Sequence, residues 1–333
     1  MSTVEYLPGD HPDKHVRRMA FAHLVEMVRD PGKVDVAAYA IPEDLHLLRS
    51  PASFDKQVLG LFEDQECKGD KMPAAKTHGL LQFRPHEVTV WYGYKSSYKS
   101  VFLNELFTWW ACQGVRVAIG SFEMPAFKLV HLAVKQAMAD AMPAPDDVLQ
   151  ALKRLSRAMV VYDVLGRVSS KHMLAVMNYC ARELGIQHFL VDNLTTLLPV
   201  GNDHSDLHQQ FTAGVLTIAR STGMHAHLVA HTAKPEKGDV SRIPTGYNIR
   251  GTGAVPDMVD NLCAVWRNTP KEDKLDDERL LPDKREELRR EPDLIVQVDK
   301  QKFHDYRGAL RFWIDRRTLR FMEYGNSPTE PFL

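Results

Sequence analysis

The stretch Gly93-Tyr94-Lys95-Ser96-Ser97-Tyr98-Lys99-Ser100 follows an apolar run and opens an amphipathic one. It fits G-x-x-x-x-G-K-[ST] at every defining position but one, where Tyr98 stands for the second glycine. In such a loop, backbone N–H groups at a helix N-terminus wrap phosphate oxygens. The lysine reaches the β/γ oxygens, and the hydroxyl binds Mg²⁺. Gly93, Ser97, Tyr98, Lys99 and Ser100 are therefore candidate nucleotide-binding residues. The departure matters, because a side chain at the glycine position can crowd the phosphates or resist the backbone angles.

Three further groups follow in order, each just past an apolar strand-like run. Glu123 lies in Ser121-Phe122-Glu123-Met124-Pro125, Asp192 follows Gln187–Val191, and His231 follows His225–Ala230. Alone, either acid reads as a cap on a helix or turn. Downstream of a phosphate loop, Asp192 suits a carboxylate that holds Mg²⁺ through water. His225, His227 and His231 share a strand face, yet alternation alone gives that pattern, so structure or phosphate sensing ranks ahead of a metal site. His204 and His208 lack the rest of a zinc motif and are expected on a surface helix. Trp109 and Trp110 are expected in the core.

To converge, these groups need a sheet whose strands run side by side. From about Gly79, strand-like and helix-like runs alternate. Strands are expected at Val88–Tyr92, Val115–Phe122, Met159–Val164, Gln187–Val191, His225–His231 and Leu262–Trp266. Helices are expected at Ser100–Gln113, after Pro125, and over Lys171–Leu184 and Asp206–Ser221. Alternation of this kind means parallel strands with crossover helices, the α/β class, whose ligands sit at the carboxyl ends of the strands. Leu294–Val298, Ala309–Ile314 and Leu319–Tyr324 read as later strands. Pro270–Asp293, with ten acids and seven bases, reads as a solvated helical or flexible insertion.

Residues 1–76 read differently. Helical spacing covers His15–Asp30, a stretch after Pro42, and Ser53–Asp64, and the polar segment CKGDKMPAAKTHG reads as a linker. The expected organisation is a helical arm and linker over 1–76 and one α/β domain over 77–333. The arm is too short to be a separate enzyme such as a primase.

A formal net charge of −1 argues against nucleic-acid binding by bulk basicity, but leaves room for a local basic channel. Lys234, Lys237, Arg242 and Arg250 make one loop basic. The four cysteines form no C-x-x-C pair, which argues against a zinc ribbon or a thioredoxin-type site. No apolar h-region opens the chain, and no uninterrupted apolar run reaches about 18 residues, so a cytoplasmic protein without membrane association is expected.

GVRVAIGSFEMP, HFLVDNLT, HAHLVAHTAKPEKG, IRGTGAVPDMVDNLCAVWRN and VDKQKFHDYRG together resemble the DnaB-like replicative helicases, above all their Twinkle-like and phage-type members. The likeness runs from about Phe83 to Tyr324. It implies a RecA-type ATPase core, a homo-oligomeric ring of six subunits, ATP and Mg²⁺ as cofactors, and 5′ to 3′ movement on single-stranded DNA. A primase or a helicase loader is an implied partner. Carried over by residue, Lys99 would bind the β/γ phosphates and Ser100 would ligate Mg²⁺. Glu123 would polarise the attacking water, Asp192 would organise the metal shell, and His231 would sense the γ-phosphate. Arg250, Gly251 and Gly253 match the loop that touches the DNA backbone. Lys300 and Lys302 match a lysine and an arginine finger that reach a neighbouring subunit's ATP.

Two residues depart from the pattern, Tyr98 for glycine and Lys302 for the finger arginine. Lysine keeps the charge but loses the planar fork of donors, and Arg307 lies close by. A different class of protein, a RecA-like ring that binds DNA or a replisome partner with weak or lost ATPase, is the alternative those departures favour. A strand-pairing recombinase is disfavoured by the pattern over Arg250–Asn268.

Overall fold

The structure, a computed structural model, describes residues 51, 55–62, 69–163, 168–199, 205–233, 240–249 and 254–333. The helices expected over His15–Asp30 and after Pro42 lie outside these residues, as do Cys67, His204, Lys234, Lys237, Arg250, Gly251 and Gly253. The helix expected over Ser53–Asp64 is present as α1 (Asp55–Phe62).

Among the described residues, nine strands form one sheet in the order β3-β2-β4-β5-β1-β6-β7-β8-β9. They are β1 (Val88–Gly93), β2 (Val117–Ser121), β3 (Met159–Tyr162), β4 (His188–Asp192), β5 (His225–His231), β6 (Asn261–Arg267), β7 (Leu294–Gln301), β8 (Gly308–Asp315) and β9 (Arg320–Met322). The six from β3 to β6 are mutually parallel, and the last three pair antiparallel at one edge. Parallel strands covered on both faces must be apolar throughout, and β1, β2 and β4 are buried at every position. The longer strands β7 and β8 alternate over much of their length instead, as expected where one face meets solvent.

Helices cover both faces. On one side, α2 (Lys99–Cys112), α3 (Ala126–Met138) and α4 (Pro145–Leu155) enclose Trp91, Phe102, Leu106, Trp110, Leu129 and Leu155. The run after Pro125 is thus two helices, the first ending on Ala139 in the left-handed conformation at φ 53°. On the other side, α5 (Ser170–Arg182) and α7 (Ser205–Thr222) pack Met173, Met177, Phe211 and Val215 against Tyr92 and Leu228. Short helices α6 (Leu194–Leu197) and α8 (Val255–Met258) follow β4 and precede β6. The expected strand and helix positions hold, with ends moved by a few residues.

Three expectations are corrected. Residues 69–79, read as linker, are built into the core: Met72 and Ala74 are buried, Trp110 Nε1 donates to the Lys71 carbonyl, and Asp70 bridges to Phe83. Glycine and proline mask the apolar positions of this stretch. His208 is buried rather than on a surface, with Nε2 against the Pro199 carbonyl at 3.0 Å. The charged segment forms α9 (Thr269–Leu275) and α10 (Pro282–Arg290), and it is not wholly solvated. Lys271 is buried and paired with Asp293 at 2.8 Å.

His225 and His227 sit in an aromatic and polar core. His227 Nδ1 accepts from Trp91 Nε1 at 3.1 Å, His188 links His227 to Asp70, and His225 meets Thr89. Burial holds all three imidazoles below the ordinary histidine range, so they serve as neutral hydrogen-bonding groups. Trp110 is fully buried, as expected, with Trp109 packed at the margin of the same core.

Candidate functional site

The sheet order explains the site. β2, β4, β5, β1 and β6 are consecutive neighbours, and the first four deliver the candidate residues at their carboxyl ends. Register sets Gly93 opposite His231 and Ser121 opposite Asp192, so the groups emerge at one level. This is where an open parallel sheet places its ligands.

Gly93 ends β1 under close approach. A Cβ there would lie 2.3 Å from the Val265 carbonyl oxygen and 2.9 Å from Ser97 Oγ, which only glycine avoids. The loop then turns through Ser96 and Tyr98, both at φ 64°, and Lys99 begins α2. The Lys99 ammonium folds back into the loop, donating to the Gly93 carbonyl at 3.0 Å, the Tyr94 carbonyl at 2.8 Å and Ser97 Oγ at 3.4 Å. Burial pushes it down to about 8, although Asp192 and Glu123 pull the other way.

Tyr98 therefore adopts the left-handed backbone that favours glycine. Its ring turns away from the loop, edge-on to Phe321 with centroids 6.4 Å apart and beneath the Arg267 guanidinium at 4.3 Å.

Asp192 ends β4 almost wholly buried. Burial raises its carboxyl above the ordinary aspartate range, against the hydrogen bond from Ser100 and the charge of Lys99. Its Oδ1 is buried without a hydrogen-bond partner. An orphaned carboxylate oxygen beside a hydroxyl is the donor set for a hard cation that keeps most of its waters, and Ser100 and Asp192 thus fit Mg²⁺. Among the described residues, no cluster of three His, Cys, Asp or Glu side chains forms a dedicated metal cage. Mg²⁺ bound mainly through phosphate oxygens does not need one.

Sequence reasoning missed Asn193, which joins the site's halves. The peptide between Asp192 and Asn193 is cis. Asn193 Oδ1 caps α6 by accepting from the Thr196 N–H at 2.9 Å, and its Nδ2 donates to Glu123 Oε1 at 2.6 Å. Nδ2 also lies 2.9 Å from His231 Nε2, which is itself 3.0 Å from Glu123 Oε1. One ring nitrogen cannot donate to Glu123 and accept from Asn193 together, so the triad has two proton arrangements. The hydrogen bond from His231, then that from Asn193, hold the Glu123 carboxyl below the ordinary range against its burial. His231 Nδ1 is buried without a partner. An asparagine directly before a helix was the available signal for Asn193, and it reads only as a cap.

Lys300 and Lys302 are not brought to this end. β7 runs antiparallel to β6, and Gln301 pairs with Asn261 at the amino end of β6. Lys300 Nζ donates to the Pro256 and Asp257 carbonyls at 2.9 and 3.0 Å, and Lys302 Nζ pairs with Asp260 at 2.8 Å. The lysines thus stand at the opposite end of the sheet from Lys99.

The fold is RecA-like, an α/β architecture with a mostly parallel central sheet. A solved structure described as an ATPase domain superposes with a TM-score of 0.63 at 14% identity, covering 82% of this chain and 99% of that one. The structure of a DnaB-like replicative helicase, described with its interactions with primase, gives a TM-score of 0.62 at 12% identity. It covers 92% of this chain and 76% of that one. The family model of an AAA domain matches residues 71–237, just over half the chain, and the chain belongs to that AAA domain family. Comparison with curated protein sequences gives no match. Among the described residues, no helix is long and apolar enough to cross a membrane.

Proposed function

We propose that this chain is an ATP-hydrolysing replicative helicase that assembles as a hexameric ring and moves 5′ to 3′ on single-stranded DNA. One observation carries this reading: adjacent strands of a RecA-type core deliver Lys99, Ser100, Asp192, Glu123 and His231 to one end of the sheet.

Lys99 would release the Gly93 and Tyr94 carbonyls to donate to ATP phosphate oxygens, whose charge would restore the full ammonium. Mg²⁺, held through Ser100 and Asp192, supplies charge neutralisation to the phosphates when bound. Glu123, kept ionised by His231 and Asn193, orients the attacking water. His231, within reach of Glu123, registers the γ-phosphate. Lys300 and Lys302, remote from their own chain's loop, suit a role toward a neighbouring subunit's ATP, which couples hydrolysis to subunit movement. Arg250, Gly251 and Gly253 grip the DNA backbone irrespective of sequence. A primase or helicase loader is the expected partner class.

ATPase assays with and without single-stranded DNA test the reading. Lys99→Ala should abolish hydrolysis, and Glu123→Gln should leave ATP bound but uncleaved; parent rates for both variants would place the chemistry elsewhere. A second reading, a DNA- or replisome-binding ring with weak or lost ATPase, is favoured by Lys302, whose charge is engaged by its own Asp260. Strand binding without DNA-stimulated hydrolysis would decide for it.

A further inference from the structure

We infer that Arg267, Glu272 and Arg316 form a brace on the phosphate loop, acting through Tyr98 as positioning residues for nucleotide. The inference rests on the proposed ATPase reading and extends it to residues outside the loop.

The brace is built from three separate elements. Arg267 ends β6, Glu272 lies in α9, and Arg316 follows β8. Glu272 Oε2 accepts from Arg267 at 2.7 Å and its Oε1 from Arg316 at 2.5 Å, so one carboxylate holds two guanidiniums. The Glu272 side chain is 12% exposed, which makes it the sheltered centre of the cluster. Both arginines then engage the same residue. Arg267 lies over the Tyr98 ring at 4.3 Å, and Arg316 Nη1 donates to the Tyr98 hydroxyl at 3.2 Å. Arg267 Nη1 also donates to the Ser96 carbonyl at 3.4 Å. The two loop residues at positive φ, Ser96 and Tyr98, are thus the two that the brace touches.

The base of α9 is fixed by further contacts, one of which, Asp293, also lies 3.9 Å from Arg316. Asn268 Oδ1 caps the helix at the Lys271 N–H at 3.1 Å, and Lys271 Nζ bonds Asp293 at 2.8 Å and the Glu291 carbonyl at 2.6 Å. Glu272 is held on a closed segment, which is what a brace needs.

A glycine at position 98 would take this backbone without a side chain, and it would also be loose. Tyrosine accepts strain at positive φ and offers a ring and a hydroxyl to hold. Cation–π stacking and a charge-assisted hydrogen bond then fix the backbone N–H groups that must face phosphate. Phosphates meet the same loop before and during transfer, so the brace should act on nucleotide affinity and much less on turnover.

The test is a double-mutant cycle on the full chain, read in urea unfolding and in Mg²⁺-ATP affinity. Arg316 is half exposed, so Arg316→Ala should fold, and Tyr98→Phe removes only the hydroxyl. We expect Arg316→Ala and Glu272→Gln to raise KM by roughly tenfold while kcat stays within about twofold. In a Tyr98→Gly background Arg316→Ala should have no effect and Glu272→Gln should keep only the share that reaches Ser96 through Arg267. With Tyr98 in place, Arg316→Lys should retain part of the affinity that Arg316→Ala loses. Additive effects of Arg316→Ala and Tyr98→Phe on unfolding would overturn the brace, whether or not the chain binds ATP. Coupling in unfolding with unchanged affinity would also overturn it, leaving an architectural cluster. A parent chain that binds no ATP, with coupling intact, would sink the ATPase reading and the positioning role with it.

Discussion

The Asn193 side-chain amide donates to Glu123 Oε1 at 2.6 Å, tying the acid beyond β2 to the turn that ends β4. The same amide lies 2.9 Å from His231 Nε2. Ends of three adjacent strands are therefore joined through one buried side chain, which makes Asn193 a control point for the protonation of Glu123.

Asn193→Asp should move the acid limb of the kcat/KM profile upward. In the parent, hydrogen bonds from His231 and Asn193 keep Glu123 ionised to below its ordinary pKa, so hydrolysis that uses Glu123 as its base should fall only as pH drops through that lowered value. Aspartate keeps the acceptor that caps α6 but puts a second anion beside Glu123. A like charge this close disfavours the ionised form and raises the carboxyl pKa. The limb should move upward, and burying a second carboxylate should also lower the urea midpoint at neutral pH; an unmoved limb would show that Glu123 is not the titrating base.

Nucleotide affinity should weaken as pH rises above about 8, where burial has placed the Lys99 ammonium. ATP phosphates favour the charged form, so affinity is full below that pH and then falls by up to about tenfold per unit. Folding runs the other way. Lys99 titrates at about 8 folded against 10.5 ordinarily, so its burial cost is present below 8 and relieved as pH climbs toward 10.5. Titration calorimetry and urea unfolding across this range should give opposite slopes, and Lys99→Met should flatten both.

Much of the domain was legible because parallel strands buried on both faces must be continuous apolar runs, as Val88–Tyr92 and Gln187–Val191 are. Lys99 and Ser100 follow from loop spacing alone. Asn193 was not legible, since its capping duty and its bond to Glu123 need the same residue type. Arg316 lies 218 residues from Tyr98, and no local pattern reports such a pair. Lys271, in a segment rich in charge, reads as solvated until Asp293 and the Glu291 carbonyl are seen to enclose it.

Glu105→Ala should destabilise the fold by about 3–5 kcal/mol, the usual cost of leaving a buried charge alone. Glu105 Oε1 accepts from Arg320 Nε at 2.8 Å, its Oε2 from the Phe321 N–H at 2.8 Å, and both side chains are buried. This pair fastens the phosphate-loop helix to β9. Replacing both at once, Glu105→Leu with Arg320→Met, should cost far less, because no charge is stranded. Urea midpoints of the two proteins measure the difference; equal losses would show that packing, not charge, governs the joint.

Lys302→Ala should damage two things that can be separated. Lys302 neutralises Asp260, whose side chain is 6% exposed and whose Oδ2 also accepts from the Val88 N–H at 3.0 Å. Loss of that partner should lower stability, and Lys302→Ala with Asp260→Asn should recover most of it. If Lys302 also acts on a neighbour's ATP, hydrolysis should not recover with stability, since the double variant still lacks the cation. Mixing then distinguishes the routes. Lys99→Ala chains keep Lys302, and Lys302→Ala/Asp260→Asn chains keep Lys99, so if the chain assembles as proposed, mixed oligomers would contain some interfaces with both groups intact. Single-strand-stimulated ATPase should reappear on mixing two inactive preparations. Activity that returns in the double variant alone would confine Lys302 to its ion pair with Asp260, and the in-trans assignment would fall.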